Sequence, residues 1–483
     1  MARKQKLIVL LMAVIFAILY DWLFPSTNLG INFSVFILGL LILAVILRLV
    51  FIKKLANAWS LLFCIPILWY AGSVAIYQNT FVHVVAPLAA IFLLILFLFW
   101  FGVDEMPIRK VKRIFPFSLL MFIGRFFSKM FSSFSGIGKF GFKKGSKVVI
   151  ALAIVIPLVL IFGSLFAAAD MIFEKWMTDF FDFDVDSHNV WRVVRTIALF
   201  IFFSGVFYAY LLQKRFKKKK EDEKPIEAKA EEKKKDYLIS NIVLGVLNAF
   251  FLLFISIQIM FLFGGHEVIK KYDISYADYV HKGFYQMCAI TFLVLIISYV
   301  MYRINKSKKI DLGKILTSLF VFQTLIITAS ALKRMFLYEQ AYGLTQLRFL
   351  VWHFIIYIGL ILLALLIIVI FRKHYRLFVK IGLIVSIVYL MYMTGINMQA
   401  KIAKVNIDRY LAGQDKELDT RYLSRLSVDI FNQMERLKDI DDSKIRYDYT
   451  AWLNHKSIYM NKEWQSSTLS KYKFWAQYDY DLD

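Results

Sequence analysis

Runs of Leu, Ile, Val, Phe and Ala recur along the first 400 positions, and no polar stripe interrupts them. A helix on the surface of a soluble protein would carry a polar face every 3.6 residues. Runs of roughly 20 residues that are apolar on every side have the length needed to cross the hydrocarbon core of a bilayer. On this basis eleven spans are predicted, at 7–24, 31–51, 56–77, 81–102, 148–169, 191–212, 238–263, 284–303, 314–333, 348–371 and 377–397. Backbone groups in lipid must bond within their own segment, so each run is expected to be a helix. The first, LIVLLMAVIFAILYDWLF, ends in Trp22, Phe24 and Pro25 without a small-residue cleavage site, and reads as a retained helix. Trp22, Trp100 and Trp191 fall near span ends, where interface anchors are found.

The polar pattern between the spans divides the chain. An N-terminal six-helix half, 1–212, carries a long insert at 103–147. Within it, LLMFIGRFFSKMFSSF sets Phe126 and Phe127 on an apolar stripe and Arg125 and Lys129 on the other side. This reads as a helix lying in the inner membrane interface and attracted to anionic lipid, a passive anchor or a docking element. Residues 213–237 mix Lys and Glu with no apolar face to bury, and read as a flexible cytoplasmic linker. A five-helix half follows at 238–397. The tail, 398–483, is amphiphilic and predicts a small helical extracytoplasmic domain. Two helices are expected there, NMQAKIAKVNIDRYLAG stopped by Gly413 and DTRYLSRLSVDIFNQMERLK capped by Asp419. The fold class is thus an all-α polytopic membrane protein with about eleven transmembrane helices and a helical tail.

Composition agrees: 59% of the 483 residues are hydrophobic, against about 45–50% in soluble domains. The net charge of +24 would suggest nucleic acid in a soluble chain, but its placement points to a membrane. The N-terminus and the loops at 48–55, 103–147, 213–237, 303–314 and 372–380 hold 36 of the 59 Lys and Arg residues. The loops at 25–30 and 77–80 hold none, and the tail balances 14 basic against 14 acidic residues. Basic loops are cytoplasmic, which predicts an inside N-terminus and, after eleven spans, an outside C-terminus. The expected location is the bacterial inner or plasma membrane, with the bilayer as partner and no role for nucleic acid. Cys64 and Cys288 both fall inside spans and suggest neither a disulfide framework nor a metal site.

Candidate chemistry gathers at the ends of spans predicted to face outside. GSLFAAAD (163–170) brings small residues up to Asp170, which permits close helix contact. SALKRMFLYEQAYGLTQLR (330–348) carries Arg334, Tyr338 and Tyr342 at helical spacing, with Glu339, Arg348 and a helix-breaking Gly343. Two readings stand side by side. Lys333 and Arg334 can snorkel at the interface, with Arg334 paired to Glu339 or Asp170. Alternatively Asp170, Arg334, Tyr338, Glu339, Tyr342 and Arg348 line a site for a phosphate or polyol headgroup. His266, Glu267, Asp278 and His281 offer metal-ligand atoms but lack a paired-His spacing, so no metal and no cofactor is expected. His83 and His353 read as packing residues. No Walker loop, dinucleotide fingerprint or GxSxG motif occurs.

FGSLFAAAD (162–170), FLFGG with ISYADYVHKGF (261–284), the 330–348 stretch, KVNIDRYLAG and LDTRYLSRLSVD together resemble a bacterial multi-pass family. That family is catalogued as domain of unknown function 4173 and is related to the 4153 group. The likeness covers roughly residues 160–440, with YxxAYGLTxxR (338–348) its most specific part. It implies a prokaryotic inner or plasma membrane protein and carries no reaction. The expected role is binding, sensing or scaffolding in the envelope, with an envelope protein or lipid as partner. The alternatives are a transporter of a small solute or lipid, whose cavity Gln258, Gln323, His83 and His353 would line, and a membrane enzyme acting on a lipid-linked substrate.

Overall fold

The computed structural model describes residues 15, 18–24, 28–52, 61–101, 146–181, 226–263, 284–304, 312–371, 374–415, 417–460 and 463–478. The helices are α1 Ile31–Ile52, α2 Cys64–Ile76, α3 Thr80–Phe101, α4 Ser146–Ala169 and α5 Met171–Phe181. Next come α6 Ile226–Phe263, α7 Phe284–Ile304, α8 Leu312–Tyr342, α9 Gln346–Ile370 and α10 Tyr375–Gly395. The tail holds α11 Met398–Leu411, α12 Thr420–Arg425, α13 Phe431–Met434, α14 Ser443–Tyr459 and α15 Leu469–Tyr478. No strand occurs among the described residues. Among the described residues, five helices are long and apolar enough to cross a membrane: Thr80–Leu98, Tyr237–Ile259, Leu312–Gln340, Gln346–Ile370 and Tyr375–Gly395. Shorter apolar helices fall at Ile31–Ile46, Cys64–Ile76, Ile154–Ala169 and Gln286–Tyr302. The predicted span 191–212, most of 7–24 and the whole insert with Arg125, Phe126, Phe127 and Lys129 lie outside the described residues.

The faces of α3 show why these are membrane helices. Val82, Ala86, Ala90, Leu93, Leu94 and Phe97 are buried, while Val84, Leu88, Ile91, Phe92, Ile95 and Leu98 are exposed. Both sides are apolar, so the exposed side suits lipid and not water. Pro87 in α3 and Pro157 in α4 sit inside their helices, as membrane helices tolerate. α6 begins at Ile226, twelve residues before the apolar run, so part of the stretch read as a linker is helical. Its EAKAEEKKK sequence is made of strong helix formers with Glu and Lys one turn apart.

The chain forms two compact units. The first comprises 1–109, 343–349 and 386–483; the second comprises 110–342 and 350–385. In the first, α1, α2 and α3 pack around Ile67, Tyr70, Val74, Val82 and Phe97. Tyr70 and Tyr77 donate hydroxyl hydrogen bonds to the Ile387 and Gly395 carbonyls, at 2.9 and 2.8 Å. The Trp69 indole donates to the Met391 carbonyl at 2.8 Å. Its ring lies so close to Gly395 that a Cβ there would collide with it.

The tail belongs to this unit and completes its helix ends, whose first N–H and last C=O groups have no partner within the helix. The Ile31 N–H at the start of α1 donates to the Ser467 carbonyl at 3.0 Å. Ser470 Oγ donates to the Ile76 carbonyl, the last of α2, at 3.0 Å. The Gln78 N–H donates to both Asp429 oxygens at 2.8 and 3.1 Å, and the Gln346 N–H donates to the Tyr422 hydroxyl at 2.7 Å. Asn406 clasps Leu344 with two 2.8 Å bonds, one to its N–H and one to its carbonyl. Gly343 beside it has φ +72°, the left-handed value that ends α8. Phe431, Trp452 and Phe474 fill the tail's own core with ring centroids 5.3–6.4 Å apart.

Gly413 has φ +68° after α11, and Asp419 Oδ1 accepts the Tyr422 N–H at 2.8 Å, as expected of a stop and a cap. The second tail helix is not continuous. Leu426 is extended and Ser427 starts a new turn, giving α12, two 3₁₀ turns and α13 in place of one helix. Leu423, Leu426, Ile430, Met434 and Leu437 are nevertheless all buried, so the apolar face survives the break.

Lys471 is 4% exposed and donates from Nζ to the Ser466 carbonyl at 3.0 Å. Burial pushes its amine below the ordinary 10.5, with Glu463 opposing. Because the unfolded chain then binds this proton more tightly, stability rises as pH climbs from the folded value towards 10.5. The melting temperature of wild type relative to Lys471→Met is expected to increase across that window. A constant difference would mean that the amine does not titrate with folding.

Candidate functional site

Asp170 stands between α4 and α5, at a corner that the sequence marks only by its small residues. Its Oδ1 accepts the Phe173 N–H at 3.2 Å and so caps α5. Its Oδ2 accepts from Arg334 Nη1 at 3.2 Å and from Gln258 Nε2 at 3.3 Å. All three residues are buried: Asp170 is 3% exposed, Arg334 8% and Gln258 6%. Three helices therefore converge on one carboxylate, α5 by its N-terminus and α6 and α8 by side chains.

Aromatic packing holds the corner in place. Phe166, one turn before Asp170, stacks on Phe254 with centroids 3.8 Å apart and meets Phe251 edge-on at 5.0 Å. Phe173 meets Phe254 at 5.0 Å from the other side of the corner. Each such pair adds roughly 0.5–1.5 kcal/mol beyond its area. With Phe162 and Phe320 these rings make the centre of the second unit's core.

The structure brings together two of the six predicted site residues, Asp170 and Arg334. Of the two partners foreseen for Arg334, Asp170 has the ion pair. The snorkelling reading fits Lys333, which is exposed, but not Arg334. The physical reason is the length of α8, which continues to Tyr342 beyond the predicted span end at 333. Arg334 thus lies within a helix and faces the bundle core. Tyr338, one turn on, is 4% exposed and packs its ring 5.0 Å from that of Tyr342, itself 48% exposed. Glu339 is half-buried on the same helix. Arg348 belongs to the first unit, where Nη1 donates to the Gly343 carbonyl at 2.8 Å and holds the turn.

The residues proposed for a transport cavity are distributed differently. Gln258 serves Asp170, whereas Gln323 donates to the Asn248 carbonyl at 3.1 Å. Ten residues of α6 separate those two levels, about 15 Å along a helix. His83 belongs to the first unit and bonds through Nε2 to the Tyr77 carbonyl at 2.7 Å. His266, Glu267, Asp278 and His281 lie outside the described residues. Among the described residues no group of three or more His, Cys, Asp or Glu side chains is placed to hold a metal ion.

Chemically, a buried ion pair is held by its own symmetry of charge: either partner alone would be a bare charge in a medium that cannot solvate it. Breaking such a pair from one side costs about 3–5 kcal/mol, whereas replacing both partners by apolar groups is often neutral. Asp170→Asn, which keeps an oxygen for the α5 cap, is therefore expected to destabilise the chain by about 3–5 kcal/mol. Adding Arg334→Met should recover most of that loss in detergent unfolding. Equal destabilisation by the double variant would show that the pair does more than neutralise itself.

The family comparison is consistent with the motifs of this corner. Residues 60–437, more than half of the chain, match the family model described as domain of unknown function (DUF4153). No curated protein and no solved structure matches the chain. The match is to the 4153 group, to which the family resembled in the sequence is related. With its span from α2 to the middle of the tail, the chain belongs to the DUF4153 family.

Proposed function

We propose that this chain is a multi-pass protein of the bacterial cell membrane whose role is to bind, sense or scaffold in the envelope, with its N-terminus inside and the tail outside. The observation that carries this reading is the bonding of the tail to the ends of α1, α2 and α3. Those ends adjoin the loops 25–30 and 77–80, which contain no Lys or Arg, while Lys53 and Lys54 follow the opposite end of α1. Basic residues remain on the cytoplasmic side, so the tail end is assigned to the outer side. A tail joined to its spans by several hydrogen bonds is suited to act as a fixed platform for an envelope partner. On the cytoplasmic side, the insert with Arg125, Phe126, Phe127 and Lys129 would meet anionic lipid.

The corner of Asp170, Arg334, Tyr338 and Glu339 is the ligand site of this proposal, and a polyol or phosphate headgroup is the chemistry it suits.

Two measurements test the reading. A reporter active only outside the cytoplasm is expected to work when fused after Asp483 and to be silent when inserted near Lys220; the reverse pattern would place the platform inside. In native mass spectrometry, a lipid or small molecule retained by wild type is expected to be lost from Tyr338→Phe, Glu339→Gln. Retention of nothing by either protein, with a lowered melting temperature in the variant, would assign the corner to architecture alone.

A further inference from the structure

A second polar place lies deeper in the same bundle. Asn248 on α6 and Gln323 on α8 are 5% and 3% exposed. The Asn248 amide nitrogen donates to the Leu244 carbonyl at 2.7 Å and to the Leu316 carbonyl at 3.0 Å. The Gln323 amide nitrogen donates to the Asn248 carbonyl at 3.1 Å. Both NH₂ groups are therefore used on backbone carbonyls, and the two amides meet at one helix–helix junction. Asn248 Oδ1 and Gln323 Oε1 are buried and have no hydrogen-bond partner. Exchanging oxygen and nitrogen in either amide would set an oxygen against those carbonyls, so the bare acceptors are not a matter of orientation.

Buried amide oxygens left bare cost more than a made hydrogen bond returns, and the junction lacks only a donor. A cation would supply one but needs a counter-charge. The carboxylate of this core, Asp170, is bonded at Gln258, ten residues or about 15 Å further along α6, and is already matched by Arg334. The flanking side chains Leu244, Leu247, Phe251 and Phe320 are fully buried and apolar, which leaves a small neutral donor as the compatible occupant. We propose that Asn248 Oδ1 and Gln323 Oε1 together bind one enclosed, water-sized neutral molecule that donates a hydrogen bond to each. Water is its smallest form, and a water enclosed by protein typically bridges such otherwise unsatisfied groups. The junction between α6 and α8 is then a wet joint inside an otherwise dry core.

The test uses the full chain in detergent, with the shape-conserving variants Asn248→Leu and Gln323→Met and their combination. If the occupant bridges both oxygens, each single variant lowers the melting temperature and the double lowers it by clearly less than the sum of the two, because the shared molecule is lost only once while each amide's own bonds are lost separately. Radiolytic footprinting, in which radicals formed from bound water label adjacent side chains, should mark the buried Phe251 or Phe320 in wild type and lose that mark in both variants. Gln323→Met leaves the Asn248 contacts to Leu244 and Leu316 in place, so it carries the test if Asn248→Leu does not fold. Native mass spectrometry separates the two sources: a retained adduct heavier than water identifies a solute, and its absence beside a positive footprint identifies water. Variants as stable as wild type with no footprint in any of them would overturn the proposal. So would a footprint that persists when both amides are gone.

Discussion

Hydrocarbon offers no hydrogen-bond partner, so the polar groups in this chain's apolar helices turn first to the chain itself. The helices answer for their backbones, and the side chains follow the same rule. Thr317, Thr324 and Thr328 on α8 each return a hydroxyl hydrogen bond to the carbonyl four residues earlier, at 2.6, 2.8 and 2.8 Å. Asn248 spends its nitrogen on two carbonyls. The pair of Asp170 and Arg334 is the extreme case, because neither charge could remain in that core without the other. It fixes the rotation of α8 about its axis, since Arg334 must face the corner that Asp170 occupies, and the face carrying Gln323 and Ser330 comes with it.

The two units meet this rule in different places. In the first, the polar load is at helix ends: Ile31, Ile76, Gln78 and Gln346 bring orphan backbone groups, and Ser467, Ser470, Asp429 and Tyr422 of the tail satisfy them. The tail is therefore part of the membrane helices' own hydrogen bonding and could not be lifted away without exposing those ends. In the second, the load is inside, on Asp170, Gln258, Arg334, Asn248 and Gln323. A polar group at a helix end can borrow bulk water, and one inside has only the chain or an enclosed molecule. The interior groups are thus the more restrictive, and substitutions there should report on architecture before they report on anything else.

What the sequence revealed follows from how local each signal is. Gly343 was legible as a helix stop because a left-handed residue after an apolar helix needs only its own neighbours. Asp419 was legible as a cap for the same reason. The end of α8 was not, because SALKRMFLYEQAY loses its apolar character at Lys333 while keeping good helix formers, so hydropathy ends before the helix does. Arg334 had two plausible partners, Glu339 five residues away and Asp170 far along the chain, and it pairs with Asp170. Asp170 is 164 positions distant, and only tertiary packing could choose it. The seating of the tail is the furthest from reach: Asp429 and Gln78 are 351 positions apart, and although Asp429 closes the LDTRYLSRLSVD string, nothing local points it at Gln78. Asn248 had a signal of its own, a carboxamide in the middle of an apolar run.

The way Asp170 is used also bears on which headgroup its corner could accept. An anion such as a phosphate would be drawn to the guanidinium N–H groups of Arg334 while Asp170 stays bonded to Nη1. That carboxylate would not leave, because its other oxygen caps α5 through the Phe173 N–H. The anion would then sit beside a second negative charge in a low-dielectric surround, where repulsion is poorly screened. A polyol avoids this conflict: its hydroxyls can donate to Asp170 and accept from Arg334 without breaking the pair, and both charges stay matched. Of the two chemistries that an Arg, a Tyr and a carboxylate suggest, the hydroxyl-rich one is therefore the better fit to this geometry. Tyr338, buried one turn from Arg334, would then serve as a wall or hydroxyl contact and not as part of an anion clamp.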